Sequence, residues 1–221
     1  RELTEDQEKA DLFRAFYEDL YRVDPKSEEL QQDFLDRLHL PQVTKEQNEL
    51  LEQSITEEEV GAVILKAKLH KAPGPDGLPA QFFKTFSIDL IPFMTSLFNS
   101  FRASGGVAPS MSEAIITVIP KPGKDRAQCG SYRPIALLNL DMKLYSKILA
   151  NRLEDILPTL IHPDQSGFIK DRQTGDNTRR ICHIIQKVNR RNIPTVLLSL
   201  DAEKAFDRVD WSFLFLTLNR F

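Results

Sequence analysis

Asp201 ends an apolar run, Thr195-Val-Leu-Leu-Ser-Leu-Asp201. Val196, Leu197, Leu198 and Leu200, interrupted only by Ser199, predict a strand buried on both faces, as in the middle of a sheet. A carboxylate at such a strand's end is held by the core yet open to solvent, which suits a metal ligand. The competing reading is that Asp201 caps the next helical turn, with Lys204 and Ala205 following. A second chemistry lies upstream. The β-branched run Ala114–Ile119 and the segment Ser131–Asn139 are joined by a basic turn holding Lys121, Lys124 and Arg126. That pattern predicts a hairpin whose tip reaches a phosphate, with Pro134 keeping its strand at an edge or a bulge.

The elements that must position these groups are mostly helical. Thr4 and Gln7 form a capping-box pattern ahead of Leu12, Phe13, Phe16, Tyr17, Leu20 and Tyr21 at helical spacing. Ser27 is placed to cap a second helix stopped before Pro41, Thr44 with Gln47 opens a short third, and Thr56 with Glu59 caps a fourth through Val60, Val63 and Ile64. His70–Pro79 holds three prolines and two glycines, a loop of fixed φ angles and tight turns. Helical segments follow from Phe82 to Phe101, interrupted near Ser87 and ended by Gly105-Gly106. A long helix is expected over 141–157 with Pro158 beyond its end. Gln165–Ile169 reads as extended, Asp171–Gly175 as a turn, and Ile181, Ile184, Ile185 and Val188 as one face of a further helix. Residues 210–221 read as a helix cut off in mid-pattern.

The chain has 221 residues and a formal net charge of −3, enough for one large or two small domains. The charge is segregated. Residues 1–70 hold 9 Lys and Arg against 18 Asp and Glu, a balance of −9, whereas residues 121–198 hold 14 against 7, a balance of +7. A basic middle ahead of an acidic catalytic candidate fits a polyanion-binding surface. A solvated mixed surface is the competing reading, because Arg179, Arg180, Lys187, Arg190 and Arg191 also describe the wet face of an amphipathic helix. No apolar run approaches the roughly 18 to 20 residues of a membrane span, and no signal-peptide pattern opens the chain. An intracellular protein, nuclear or cytoplasmic, is the default expectation. Cys129 and Cys182 lie far apart, and neither they nor the four histidines have zinc-ligand spacing.

Four separated blocks then occur together: Lys71-Ala-Pro-Gly-Pro-Asp-Gly77, Ile119-Pro-Lys-Pro-Gly-Lys124, Tyr132-Arg-Pro-Ile-Ala-Leu-Leu-Asn139 and Ser199-Leu-Asp-Ala-Glu-Lys-Ala-Phe-Asp207. Their order and spacing resemble a LINE-type non-LTR retrotransposon reverse transcriptase, as do Ile148–Leu153 and Asp164–Ile169. The resemblance implies an α+β right-hand polymerase fold: a helical acidic extension over 1–70, then a partial reverse transcriptase domain over 71–221 with fingers and the first part of the palm. It also implies RNA-templated DNA synthesis by nucleotidyl transfer with two divalent ions, Mg²⁺ in the intact enzyme.

By that resemblance Asp201 is the first catalytic aspartate and a metal ligand, with the Ala202 carbonyl adding backbone coordination. Phe206 matches the aromatic that closes the sugar pocket. Lys121 and Arg133 fall where the incoming triphosphate is held, with Lys124 competing with Lys121. Gln165, Gly167 and Phe168 resemble the block near the template strand. Asp207 and Asp210 are left outside the site as structural or solvated groups. The implied partners are an RNA template, a DNA primer and deoxynucleoside triphosphates, with no membrane. The paired-aspartate hairpin, the rest of the palm and the thumb are expected beyond Phe221, so one carboxylate faces a site that needs three and the chain is expected not to polymerise alone. The alternative is a truncated, catalytically dead remnant that at most binds RNA. A metal-dependent nuclease using Asp201, Glu203 and Asp207 is a third class, but residues 110–198 offer no second acid on a buried strand.

Overall fold

Helix-forming periodicity and capping account for most of the observed elements. The computed structural model describes residues 6–22, 28–202 and 204–221. The Thr4 and Ser27 caps lie outside the described residues. The chain divides into two compact units, Lys45–Leu153 and Arg1–Thr44 with Glu154–Phe221. Residues 1–70 are thus shared between them.

The first unit contains α3 (Lys45–Leu51), α4 (Glu57–Lys66), α5 (Ala80–Thr85), α6 (Ser87–Ser104), α7 (Pro109–Ser112), β1 (Ala114–Pro120), β2 (Tyr132–Leu138) and most of α8 (Leu140–Leu160). Thr56 and Glu59 form the expected capping box on α4. Only Phe86 separates α5 from α6, and Gly105, at φ 70°, closes α6 through its N–H to the Phe101 carbonyl. The core is built where helical spacing aligns apolar side chains: Val60, Val63 and Ile64 on α4, Phe98 and Phe101 on α6, Leu144 and Ile148 on α8. Burying each of these side chains stabilises the fold by about 1.5–3 kcal/mol. The strands pair antiparallel, from Ala114 opposite Leu138 to Pro120 opposite Tyr132. This is the one sheet among the described residues, so Pro134 sits on an edge as expected.

Two polar knots fix the irregular segments of this unit. Arg152 of α8 donates from Nε and Nη2 to the two Glu59 carboxylate oxygens, each at 2.7 Å. It also holds the carbonyls of Leu51, Gln53 and Ser54 at 3.1, 2.6 and 3.1 Å. Asn139, buried at the end of β2, accepts from the Asp76 N–H at 3.1 Å and donates to the Ser110 carbonyl at 3.0 Å. Gly74 lies so close that a Cβ there would meet Asn139 Oδ1 at 2.3 Å, which explains the glycine in the proline-rich loop.

The second unit contains α1 (Asp6–Leu20), α2 (Glu28–Asp36), α9 (Thr174–Arg191), α10 (Trp211–Leu218) and the last residues of α8. α2 packs on α10, with the Phe34 and Phe213 ring centroids 6.0 Å apart and Gln31 donating to Asp210 at 3.4 Å. Asp210 caps α10 by accepting from the Phe213 N–H at 3.1 Å. α9 is amphipathic as expected, but none of its residues is buried.

Three expectations are corrected here. Residues 193–200 form no strand, and Val196 is 90% exposed. A strand apolar on both faces needs a ladder on each edge, and no described segment pairs with this one. Pro158 lies inside α8 rather than beyond it. So near the C-terminus its missing N–H costs only one intrahelical bond. Gln165–Ile169 forms no strand: the chain turns at Gly167 and Phe168 and bends at Ile169, with Phe168 at φ 63°.

Hydrogen bonds from Arg152 hold the Glu59 carboxyl below its ordinary range, against the opposing effect of burial. Such a carboxylate adds stability above its unfolded pKa, about 4.3, and that stability is lost as pH falls through the folded value. Glu59→Gln is expected to flatten the loss of melting temperature below about pH 4.3. Gly74→Ala is expected to lower stability by about 1–3 kcal/mol through overpacking, measured by urea denaturation.

Candidate functional site

The basic hairpin puts two of the candidate residues on one face, diagonally across the ladder. Arg133 is on β2 directly opposite Ile119. Lys121 follows β1, and its N–H donates to the Ser131 carbonyl at 2.8 Å, which carries the ladder one step past the strand. Strand alternation puts Lys121 on the face of Ile119 and hence of Arg133. The Lys121 ammonium donates to the Gly130 carbonyl at 2.9 Å, which leaves two of its three donors for another acceptor. Arg133 is exposed. Lys124 sits further out, in the turn where Gly123 takes φ 71°, and is exposed. The geometry thus groups Lys121 with Arg133 and leaves Lys124 at the tip.

In the unit that carries the other candidates, Asp201 and Ala202 are exposed and belong to no regular element. A turn follows, closed by the Arg208 N–H on the Lys204 carbonyl at 3.1 Å. It projects Phe206, which is 83% exposed, and Phe168, from the distant turn, is 92% exposed. Their rings meet edge to face, with centroids 6.2 Å apart and planes at 84°. Phe168 holds a left-handed backbone, which costs a residue with a side chain on the order of 1–3 kcal/mol. The residues on either side of it are held by hydrogen bonds and ion pairs. Gln165 donates to the Gly167 carbonyl at 3.3 Å, and Asn177 donates to the Asp164 carbonyl at 2.8 Å and to Ser166 Oγ at 3.1 Å. Arg180 pairs with Asp164, and Lys170 with Asp155 of α8 at 2.8 Å.

Sequence reasoning missed the framework residues Arg172 and Asn177, and it read Arg180 as part of either a polyanion-binding surface or a solvated helix face, not as the partner of Asp164. Arg172 is the more informative omission. Its Nη1 donates to the carbonyls of His162 and Gln165 at 2.6 and 2.9 Å, and its Nη2 to those of Pro158 and Ile161, each at 2.8 Å. It stands twelve residues beyond the end of α8 at Leu160, so no local capping pattern in the sequence pointed to it.

The two acids left outside the site have other work. Asp207 accepts from the Tyr21 hydroxyl at 3.4 Å, and burial, followed by that carboxylate, pushes the Tyr21 phenol up. Asp210 caps α10, and the hydrogen bond from Ser212 and then the Phe213 N–H hold its carboxyl below the usual range. Among the described residues no group of three or more His, Cys, Asp or Glu side chains converges as a metal site. Asp201 brings one carboxylate, so the described side chains do not fit a complete divalent-ion centre. Among the described residues no helix is long and apolar enough to cross a membrane.

Residues 119–221 match the family described as reverse transcriptase (RNA-dependent DNA polymerase). The match takes in the hairpin from Ile119 onward, the turn block and the Asp201 segment. Over 211 residues, 96% of the chain, the sequence is 34% identical to an uncharacterized 149 kDa protein of transposon TX1 from Xenopus laevis, covering 16% of that protein. It is 32% identical over 80% of the chain to a probable RNA-directed DNA polymerase from transposon BS of Drosophila melanogaster, covering 19% of it. It is 31% identical over 71% of the chain to the RNA-directed DNA polymerase from the mobile element jockey of the same fly, covering 17% of it. The chain belongs to the reverse transcriptases of non-LTR retrotransposons. It spans between 16% and 19% of the length of these three relatives.

Phe168→Gly and Phe168→Ala both remove an exposed ring, but only glycine takes the left-handed backbone freely. The glycine variant is expected to be the more stable of the two by about 1–2 kcal/mol, read from paired thermal and denaturant unfolding.

Proposed function

We propose that this chain supplies the triphosphate-binding fingers hairpin, the template-facing turn and the first palm carboxylate of an RNA-directed DNA polymerase. The observation that carries the reading is the hairpin register, continued one step by the Lys121 N–H, which puts Lys121 and Arg133 on the same face. A mobile ammonium and a planar guanidinium together match the oxygens of a nucleoside triphosphate. In this reading Asp201 and the Ala202 carbonyl are the chain's contribution to a divalent-ion site, with Mg²⁺ as the ion, and Phe206 screens the sugar of the incoming deoxynucleotide. Gln165, Gly167 and Phe168 face the RNA template, and the DNA primer end approaches Asp201. The functional division runs between an extension, residues 1–70, which holds none of these contacts, and residues 71–221, which hold all of them. The palm assignment of the Asp201 segment rests on the family blocks.

A second reading is favoured by one observation, the lack of a three-donor metal group among the described residues. In it the chain binds RNA through its basic hairpin and turn and transfers no nucleotide.

RNA affinity is expected to fall steeply between low and physiological salt, because phosphate contacts release counterions. Joint Lys121→Ala and Arg133→Ala substitution is expected to weaken deoxynucleoside triphosphate binding at least tenfold, about 1.4 kcal/mol, in a calorimetric titration. Unchanged triphosphate affinity with retained RNA binding would exclude the first reading and leave the second. Primer extension on an RNA template by the chain alone, abolished by Asp201→Ala, would exclude the second.

A further inference from the structure

One guanidinium ties the turn block to the end of α8. All four hydrogens on the terminal nitrogens of Arg172 have carbonyl acceptors: Pro158 and Ile161 at the last turn of α8, and His162 and Gln165 in the turns that follow. Only Nε–H remains, and a guanidinium has no acceptor of its own. The peptide N–H of Arg172 also donates to the Ile169 carbonyl at 3.3 Å. Arg172 therefore clasps the turn block from both sides of Phe168, whose backbone is left-handed and whose ring is almost fully exposed. An exposed aromatic held in an unfavourable backbone state, beside a polar glutamine and an unobstructed glycine, is the form of a base-stacking platform for a single strand.

We infer that Arg172 is a positioning residue for the template contact: it spends its charge on the backbone to fix the stacking face of Phe168, and it does not touch RNA phosphate itself. The inference rests on the reading of Gln165, Gly167 and Phe168 as template-facing. Lysine cannot replace it, because a compact ammonium with three donors cannot fork to four carbonyls in two directions.

The test uses the 221-residue chain with a short labelled single-stranded RNA of mixed sequence, titrated over a range of salt, together with amide hydrogen exchange. Phe168→Ala is expected to weaken binding about tenfold, the worth of one lost stack. Arg172→Ala and Arg172→Lys are each expected to weaken it comparably, to leave the salt slope unchanged, and to speed exchange at Gly167 and Phe168. In the Phe168→Ala background either Arg172 substitution is expected to add almost nothing, as for two residues acting as one unit. Arg172→Lys keeps the charge, so its loss of affinity separates positioning from electrostatics even where Arg172→Ala fails to fold. A salt slope smaller by about one in Arg172→Ala, or an Arg172 effect that persists in full without Phe168, overturns the inference in favour of a direct phosphate contact. Full affinity and unchanged exchange in both Arg172 variants, with Phe168→Ala still weak, overturn it as well. No loss of affinity in Phe168→Ala instead overturns the template reading on which it rests.

Discussion

Irregular backbone must find donors for its carbonyl groups, and in this chain guanidinium groups provide many of them. Arg152 takes three carbonyls between α3 and α4 while its other face grips Glu59. Arg102 holds the carbonyl of Glu52 at 2.6 Å and that of Gln53 in the same segment. Arg172 takes four carbonyls at the end of α8. Each joins a helix to a segment with no ladder of its own. In the unit of Lys45–Leu153 the clasp adds to an apolar core. In the other unit α1 and α9 bury no side chain, so polar clasps and ring contacts carry more of the order.

That contrast shapes where chemistry can sit. The hairpin is regular, and its two cations are set by register, the most reproducible geometry a short segment can offer. The Asp201 segment has no such support among the described residues. Its carboxylate is attached to a backbone without ladder bonds, so its placement depends on the turn at 204–208 and on Phe206 meeting Phe168. A cation–π contact from Lys204 to the Phe16 ring of α1, 4.8 Å to the centroid, ties down the same turn.

How much of this was legible in the sequence follows from the physics of each element. The α4 cap, the α6 stop at Gly105, the hairpin and the edge position of Pro134 depend on neighbours within a few residues, and all were readable. Family membership was readable from the order of four short blocks. The strand at 195–200 was misread because an apolar run reports only a wish to be buried, while a strand forms only when another segment offers its edge. The turns at 165–169 were misread because Phe168 takes a backbone that phenylalanine rarely adopts, in a segment whose carbonyls are held by Arg172 and Asn177 from outside the block. Arg172 itself carried no periodic signal. A guanidinium used for backbone carbonyls looks, in one dimension, like any other surface charge.

The exposed run Val196–Leu200 has a consequence for the chain in solution. Four apolar residues in five, uncharged, exposed and without a ladder among the described residues, have the composition that favours cross-β pairing between identical copies. Two neighbours oppose this. Pro194 cannot extend a ladder from one side, and Asp201 places a charge at the other, the arrangement of gatekeeper residues around an unavoidable sticky stretch. The Asp201 charge thus bears on colloidal solubility independently of any metal, and removing it would expose the same segment to self-association.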